Sequence, residues 1–185
     1  MKEPAAERLT ATAARLFQER GLSRVGINEI VREADVARMS LYNNFRSKED
    51  LAVAAYARLA EARQDTIDAA IAAASSPHAA ILSVFDIAKK FADGSSFRGC
   101  AFIDLACHAG PGDDRLMCLV RRHKIARRNS FARLSAEAGA ADPETLARQL
   151  LALWDGALMD AFIEGDAAPI IAARAAAERL LRQDS

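Results

Sequence analysis

Apolar residues recur at helical spacing along almost the whole chain. Leu9, Ala13, Leu16 and Phe17 fall on one face of a first helix that opens at Pro4, where a missing N–H costs nothing, and ends at Gly21. Ile27, Ile30 and Val31 form the inner face of a second helix over residues 27–34, with Gly26 at its cap. A third, shorter helix covers residues 37–44. Only Asp35 and Val36 separate these two, a turn short enough to make the helices meet at a steep angle. Ser47 caps a long fourth helix, with Glu49 and Asp50 in its first turn and Leu51, Ala55, Leu59 and Ala62 at helical spacing, continuing to about residue 74.

Beyond it, Ser76-Pro77, Gly94-Ser95-Ser96, Gly110-Pro111-Gly112, the stretch 139–143 and Gly165-Asp166 break the chain and leave five further helical segments. The last two are the most patterned, with Leu146, Leu150, Leu153, Trp154 and Leu158 on one and Ile170, Ile171, Ala177 and Leu180 on the other. One monomer covers two such broad apolar faces poorly. Pairing with a symmetry mate gives a four-helix interface over residues 144–164 and 168–182, where Gly156 and Ala157 permit close approach. The expected fold is all-α with about nine helices: a three-helix head, residues 1–50, joined by a long helix to a helical body, residues 51–185.

Composition agrees: 51% of residues are apolar, and the abundant alanine suits closely packed helices. Lysine plus arginine and aspartate plus glutamate balance at 25 each, so only the location of charge informs. Residues 37–48 hold Arg38, Arg46 and Lys48 and no acid, a local +3. No apolar run is long enough for a membrane span, and the first residues do not read as a signal peptide, so a cytoplasmic protein is expected. Cys100, Cys107 and Cys118 are odd in number and form no CxxC pair, in keeping with a reducing compartment.

The segment Leu41-Tyr42-Asn43-Asn44-Phe45-Arg46-Ser47-Lys48-Glu49-Asp50-Leu51, with the preceding residues from Ile27, resembles the DNA-binding signature of the tetracycline-repressor (TetR) family. Independently of that likeness, Ile30, Val36, Leu41 and Phe45 are the positions that would pack the two short helices on the first. Ala37, Arg38, Met39, Ser40 and Asn43 would then face a major groove. Arg38 suits guanine, Asn43 adenine and Met39 a thymine methyl; Asn28 and Asn44 are counted with this surface. By resemblance, Tyr42 and Lys48 grip phosphates, Lys48 from the positive end of the fourth helix. The resemblance further implies a homodimeric repressor on a palindromic double-stranded DNA operator, associated with the nucleoid when bound and released by a small-molecule effector. Two departures stand out. Asp35 occupies a turn position where glycine is usual, and Gly26 lacks the hydroxyl that often caps the second helix.

In the body, Phe85, Phe102, Met117, Trp154 and Phe162, with His108 or His123 as polar partners, are candidate ligand-lining residues, although bulky stripes at helical spacing are also ordinary core. Cys107, His108, Cys118 and His123 offer thiol or metal chemistry as an alternative, at spacings that do not favour ligation. The basic run Arg121, Arg122, His123, Lys124, Arg127 and Arg128 reads as a solvated face balanced by Asp113, Asp114 and Glu137, or as an attractor of an anionic effector. Asp104 and His108 share a helix face, but no nucleophile, phosphate loop or HExxH accompanies them, so neither an enzyme nor a cofactor is expected.

Overall fold

The computed structural model describes residues 3–109 and 114–183. Among them, nine helices follow in order: α1 (Ala5–Arg20), α2 (Ile27–Glu33), α3 (Arg38–Asn44), α4 (Lys48–Ala72), α5 (Pro77–Ala92), α6 (Ala101–His108), α7 (Asp114–Glu137), α8 (Pro143–Glu164) and α9 (Ala168–Gln183). Gly110, Pro111, Gly112 and Asp113 lie outside the described residues, as does the side chain of Asp114.

Local chemistry explains the helix ends. Pro4 caps α1, and Gly21 stops it at φ 82° and ψ 156°, a combination that excludes side-chain-bearing residues. A Cβ there would also approach Asp104 Oδ2 to 3.2 Å. The Ser47 hydroxyl accepts the Asp50 N–H at 3.1 Å and so caps α4. Ser76 caps α5 in the same way, and Asp142 caps α8 through the Thr145 N–H, each followed by a proline in the first turn.

The chain forms two compact units, residues 1–62 with 101–121, and residues 63–100 with 122–185. In the first, Leu9, Leu16, Phe17, Ile30, Leu41 and Leu51 are fully buried, whereas Val36 and Phe45 are half-buried. Tyr56 stacks on Phe17 with centroids 5.9 Å apart and meets the edge of Phe102 at 6.0 Å. This unit therefore contains α6 and the start of α7 as well as α1–α3, which sequence spacing alone did not indicate. In the second unit Phe85 packs on Phe131 and against the edge of Trp154, and Leu146, Leu150, Ile170 and Leu181 complete its core. No described helix is long and apolar enough to cross a membrane.

Candidate nucleic-acid interface and body cavity

The α1–α3 cluster presents α3 outward. Leu41 is its buried anchor, while Ala37, Arg38, Met39, Tyr42, Asn43 and Asn44 are exposed and Ser40 is half-buried. Met39, at 69% exposure, is an apolar side chain that the fold leaves uncovered. Arg38 lies 5.8 Å from the Tyr42 ring centroid and donates to the phenol oxygen at 3.4 Å, one turn along the same face. The Asn44 amide donates to the Ser40 carbonyl at 2.7 Å, which engages one of its two N–H donors. Asn28 is exposed near the start of α2. Lys48 is placed differently from its neighbours: its ammonium donates to the Leu22 carbonyl at 2.8 Å, and burial pushes its pKa down. In this arrangement it fastens the α1–α2 connection to the start of α4.

The turn is held by a residue that the sequence did not single out. Arg8, on α1, donates from Nε to the Ala34 carbonyl at 3.0 Å and from Nη2 to the Asp35 carbonyl, with the Asp35 carboxylate 3.8 Å away. These groups end α2 and carry the chain through Asp35 at φ 51°, the one non-glycine residue with positive φ among those described. Two further ion pairs tie α1 to α2, Arg20–Glu29 at 2.8 Å and Arg15–Glu33; Arg20 holds the Glu29 carboxyl below its usual range. Nothing in the spacing of these charges distinguishes them from solvated ones, because each pair joins different helices. Gly26 caps α2 with extended backbone, and a Cβ there would meet nothing within 4 Å.

In the second unit, Arg63, His123 and Arg127 converge on a small cavity with the aromatic rings of Phe91, Phe97 and Trp154, closed by Ile67, Leu158 and Cys100. Its volume is about 20 Å³. Burial beside Arg127, Lys124 and Arg63 pushes the His123 pKa down to about 3, so its ring is neutral at ordinary pH. Of the seven candidate lining residues, His123 and Trp154 border this cavity. Phe85 lies behind Trp154 in the core, and Phe162, 37% exposed, sits under the Arg98 guanidinium. Phe102, His108 and Met117 belong to the other unit.

The basic run is only partly a solvated face. Arg121 and Arg122 are exposed, but Arg127 is 3% exposed and stacks over Trp154 at 5.7 Å, which corrects the solvated reading for that residue. Lys124 pairs with Asp155. Glu137 pairs instead with Arg133, while Asp113 and the Asp114 side chain, the other expected balancing acids, lie outside the described residues.

Nothing among the described residues supports the thiol or metal alternative: no group of three His, Cys, Asp or Glu side chains is arranged to hold a metal ion. Cys107 and Cys118 are exposed, and Cys100 is buried. The His108 Nδ1 lies 2.7 Å from the Asp104 carbonyl, one turn back, a local helical contact. On α8 and α9, Leu153, Gly156, Ala172, Ala176 and Leu180 line an open apolar furrow.

Comparison with known proteins agrees with this geometry. Residues 9–55 match the family model "Bacterial regulatory proteins, tetR family", and residues 111–183 match "Tetracyclin repressor-like, C-terminal domain". The chain is 31% identical over 161 residues to the HTH-type transcriptional regulator YxaF of Bacillus subtilis, covering 86% of this chain and 81% of that protein. Among solved structures, a TetR-family transcriptional regulator from Streptomyces coelicolor superposes with a TM-score of 0.91 at 26% identity, over 98% of this chain and 96% of that one. A TetR transcriptional regulator from Chloroflexus aurantiacus gives 0.84 at 25% identity, over 97% and 95%.

Proposed function

Since the chain belongs to the TetR family of DNA-binding transcriptional regulators, we propose that it is a ligand-responsive repressor that binds a palindromic operator as a homodimer. The observation that carries the DNA-reading part is the outward face of α3, where Arg38, Met39, Tyr42 and Asn43 are exposed together and no acid interrupts them. Arg38 and Asn43 read base edges, Met39 touches a thymine methyl, and Tyr42 contacts phosphate. Asn28, Ala37, Ser40 and Asn44 border this surface. Lys48, with two N–H donors beyond the one held by the Leu22 carbonyl, contacts phosphate.

Dimerisation uses α8 and α9, whose small side chains let helices of two protomers approach closely around Gly156. Two heads must then meet half-sites about 34 Å apart. Residues 1–50 carry the DNA contacts and residues 51–185 the pairing and effector response. An effector that binds the body more tightly in one conformation shifts the population away from the spacing DNA requires. The protein works in the cytoplasm, on the nucleoid when DNA-bound.

The test is selection of bound duplexes from random DNA by the purified protein, followed by titration with salt. Enrichment of a palindrome whose affinity falls steeply with salt supports the reading. Failure to retain any duplex sequence-specifically at low salt rejects it.

A further inference from the structure

Among the described residues, the cavity of the body unit holds a charge without a direct counter-ion. Arg127 is 3% exposed, and its Nε and Nη1 have no hydrogen-bond partner among the described residues. Its neighbour on the ring side is Trp154, which attracts a cation through its π face but offers no acceptor. Asp155 is taken by Lys124, and Asp68 accepts from Gln64 at 2.8 Å. Both acids favour the Arg127 charge only from a distance, and burial still pulls its pKa down to about 10, which leaves it cationic at neutral pH.

A buried guanidinium in this state is expensive to keep unless something satisfies it. The cavity wall holds no carboxylate of its own: its polar side chains are Arg63, His123, Arg127 and Cys100, and the rest are apolar or aromatic. A guanidinium presents a planar fork that matches a carboxylate with two parallel N–H···O bonds. The rings of Phe91, Phe97 and Trp154 provide apolar walls.

We propose that this cavity is the binding site for an organic acid with a flat apolar body, its carboxylate paired with Arg127 and its ring packed between Trp154 and the Phe91–Phe97 side. The proposal rests on the effector-responsive reading above and specifies the chemical class of the effector. The present volume accommodates about one water, so the ligand enters by displacing aromatic side chains. That displacement gives the acid different affinities for closed and open bodies, as a population shift requires.

Trp154 is the chain's single tryptophan, so intrinsic fluorescence reports the site directly. The full-length protein is titrated with benzoate, phenylacetate, salicylate and indole-3-acetate, each beside its uncharged primary amide, and with chloride and phosphate. At least one acid is expected to change Trp154 emission saturably and raise the melting temperature, with its amide at least tenfold weaker and the inorganic anions without effect. Arg127→Met should weaken acid binding at least tenfold while the protein remains folded by thermal melt. Arg127→Lys, which keeps the charge but loses the fork, should fall between and covers the case in which the Met variant does not fold. Amides binding as well as acids, an inorganic anion reproducing the shift, no acid binding, or full affinity in both variants would overturn the proposal. Operator release is measured separately. Acid binding through Arg127 without release would retain the site and reject its effector role, whereas release by neutral compounds that leave Trp154 unperturbed would reject the site and retain ligand response.

Discussion

At the scale of single residues, the proposed DNA contacts assign distinct tasks to a few polar groups of the head. Replacing Arg38 or Asn43 with alanine should cost about 1–3 kcal/mol of operator binding and relax base preference at one position. Tyr42→Ala should weaken all sequences alike. Measuring affinities against a set of single-base operator variants separates the two patterns, and equal losses at every position for Arg38→Ala would remove it from base readout. Asp35 bears on folding rather than on readout. Its φ of 51° costs an alanine about 1 kcal/mol and an aspartate less, because a short polar side chain bonds locally in this conformation, so Asp35→Gly should melt no lower than the native protein, whereas Asp35→Ala should be less stable by up to about that amount. Arg8 holds the carbonyls on either side of this turn, and Arg8→Ala should lower both melting temperature and operator affinity.

Elements transmit what residues begin. On α8, a Cβ at Gly156 meets nothing within 4 Å, so the isolated protomer has room for a side chain there. Gly156→Arg should preserve helical circular dichroism and shift sedimentation to the monomer; a variant that remains dimeric would place the interface elsewhere. Helix α7 contributes to both units: near its start Arg115 pairs with Asp50 in the first turn of α4, holding that carboxyl below its usual range, and three turns later Arg127 borders the cavity. Arg115→Ala should therefore leave the Trp154 response to an acid intact while reducing its effect on operator release, a coupling of about 1–3 kcal/mol when present. Undiminished release in that variant would exclude this connection.

For the whole molecule, pH and salt act through different groups. His123 is neutral in the folded body because burial and neighbouring cations depress its pKa to about 3, whereas in the unfolded chain it titrates near 6.5. Its depressed value contributes stability that is complete above pH 6.5 and lost as pH falls toward 3, with a slope of at most about 1.4 kcal/mol per pH unit. Thermal melts between pH 7 and 4 should show this decline, and His123→Gln should flatten it. Salt acts on the heads. A dimer with about six phosphate contacts should lose about a thousandfold in operator affinity between 50 and 200 mM salt.

The helices, the short turn between α2 and α3 and the outward face of α3 were legible in the sequence, because each follows from periodicity, caps and breaks within a few residues. The same rules located the terminal helices with their apolar surplus. Periodicity does not report where a long charged side chain ends, since its stem packs as easily as its head solvates. The burial of Arg127 within an otherwise ordinary basic run, Lys48 turned onto the Leu22 carbonyl and the Arg8 clamp on the Asp35 turn therefore emerged only from tertiary structure. So did the membership of the cavity, which draws His123 and Trp154 together with Arg63, Phe91 and Phe97 while Phe102, His108 and Met117 fall in the other unit. The sequence alone determined which segments are helical and which side chains of α3 face outward. The packing of distant segments decided which charges are buried, and with them the chemistry of the cavity, because desolvation depends on every neighbour a side chain acquires.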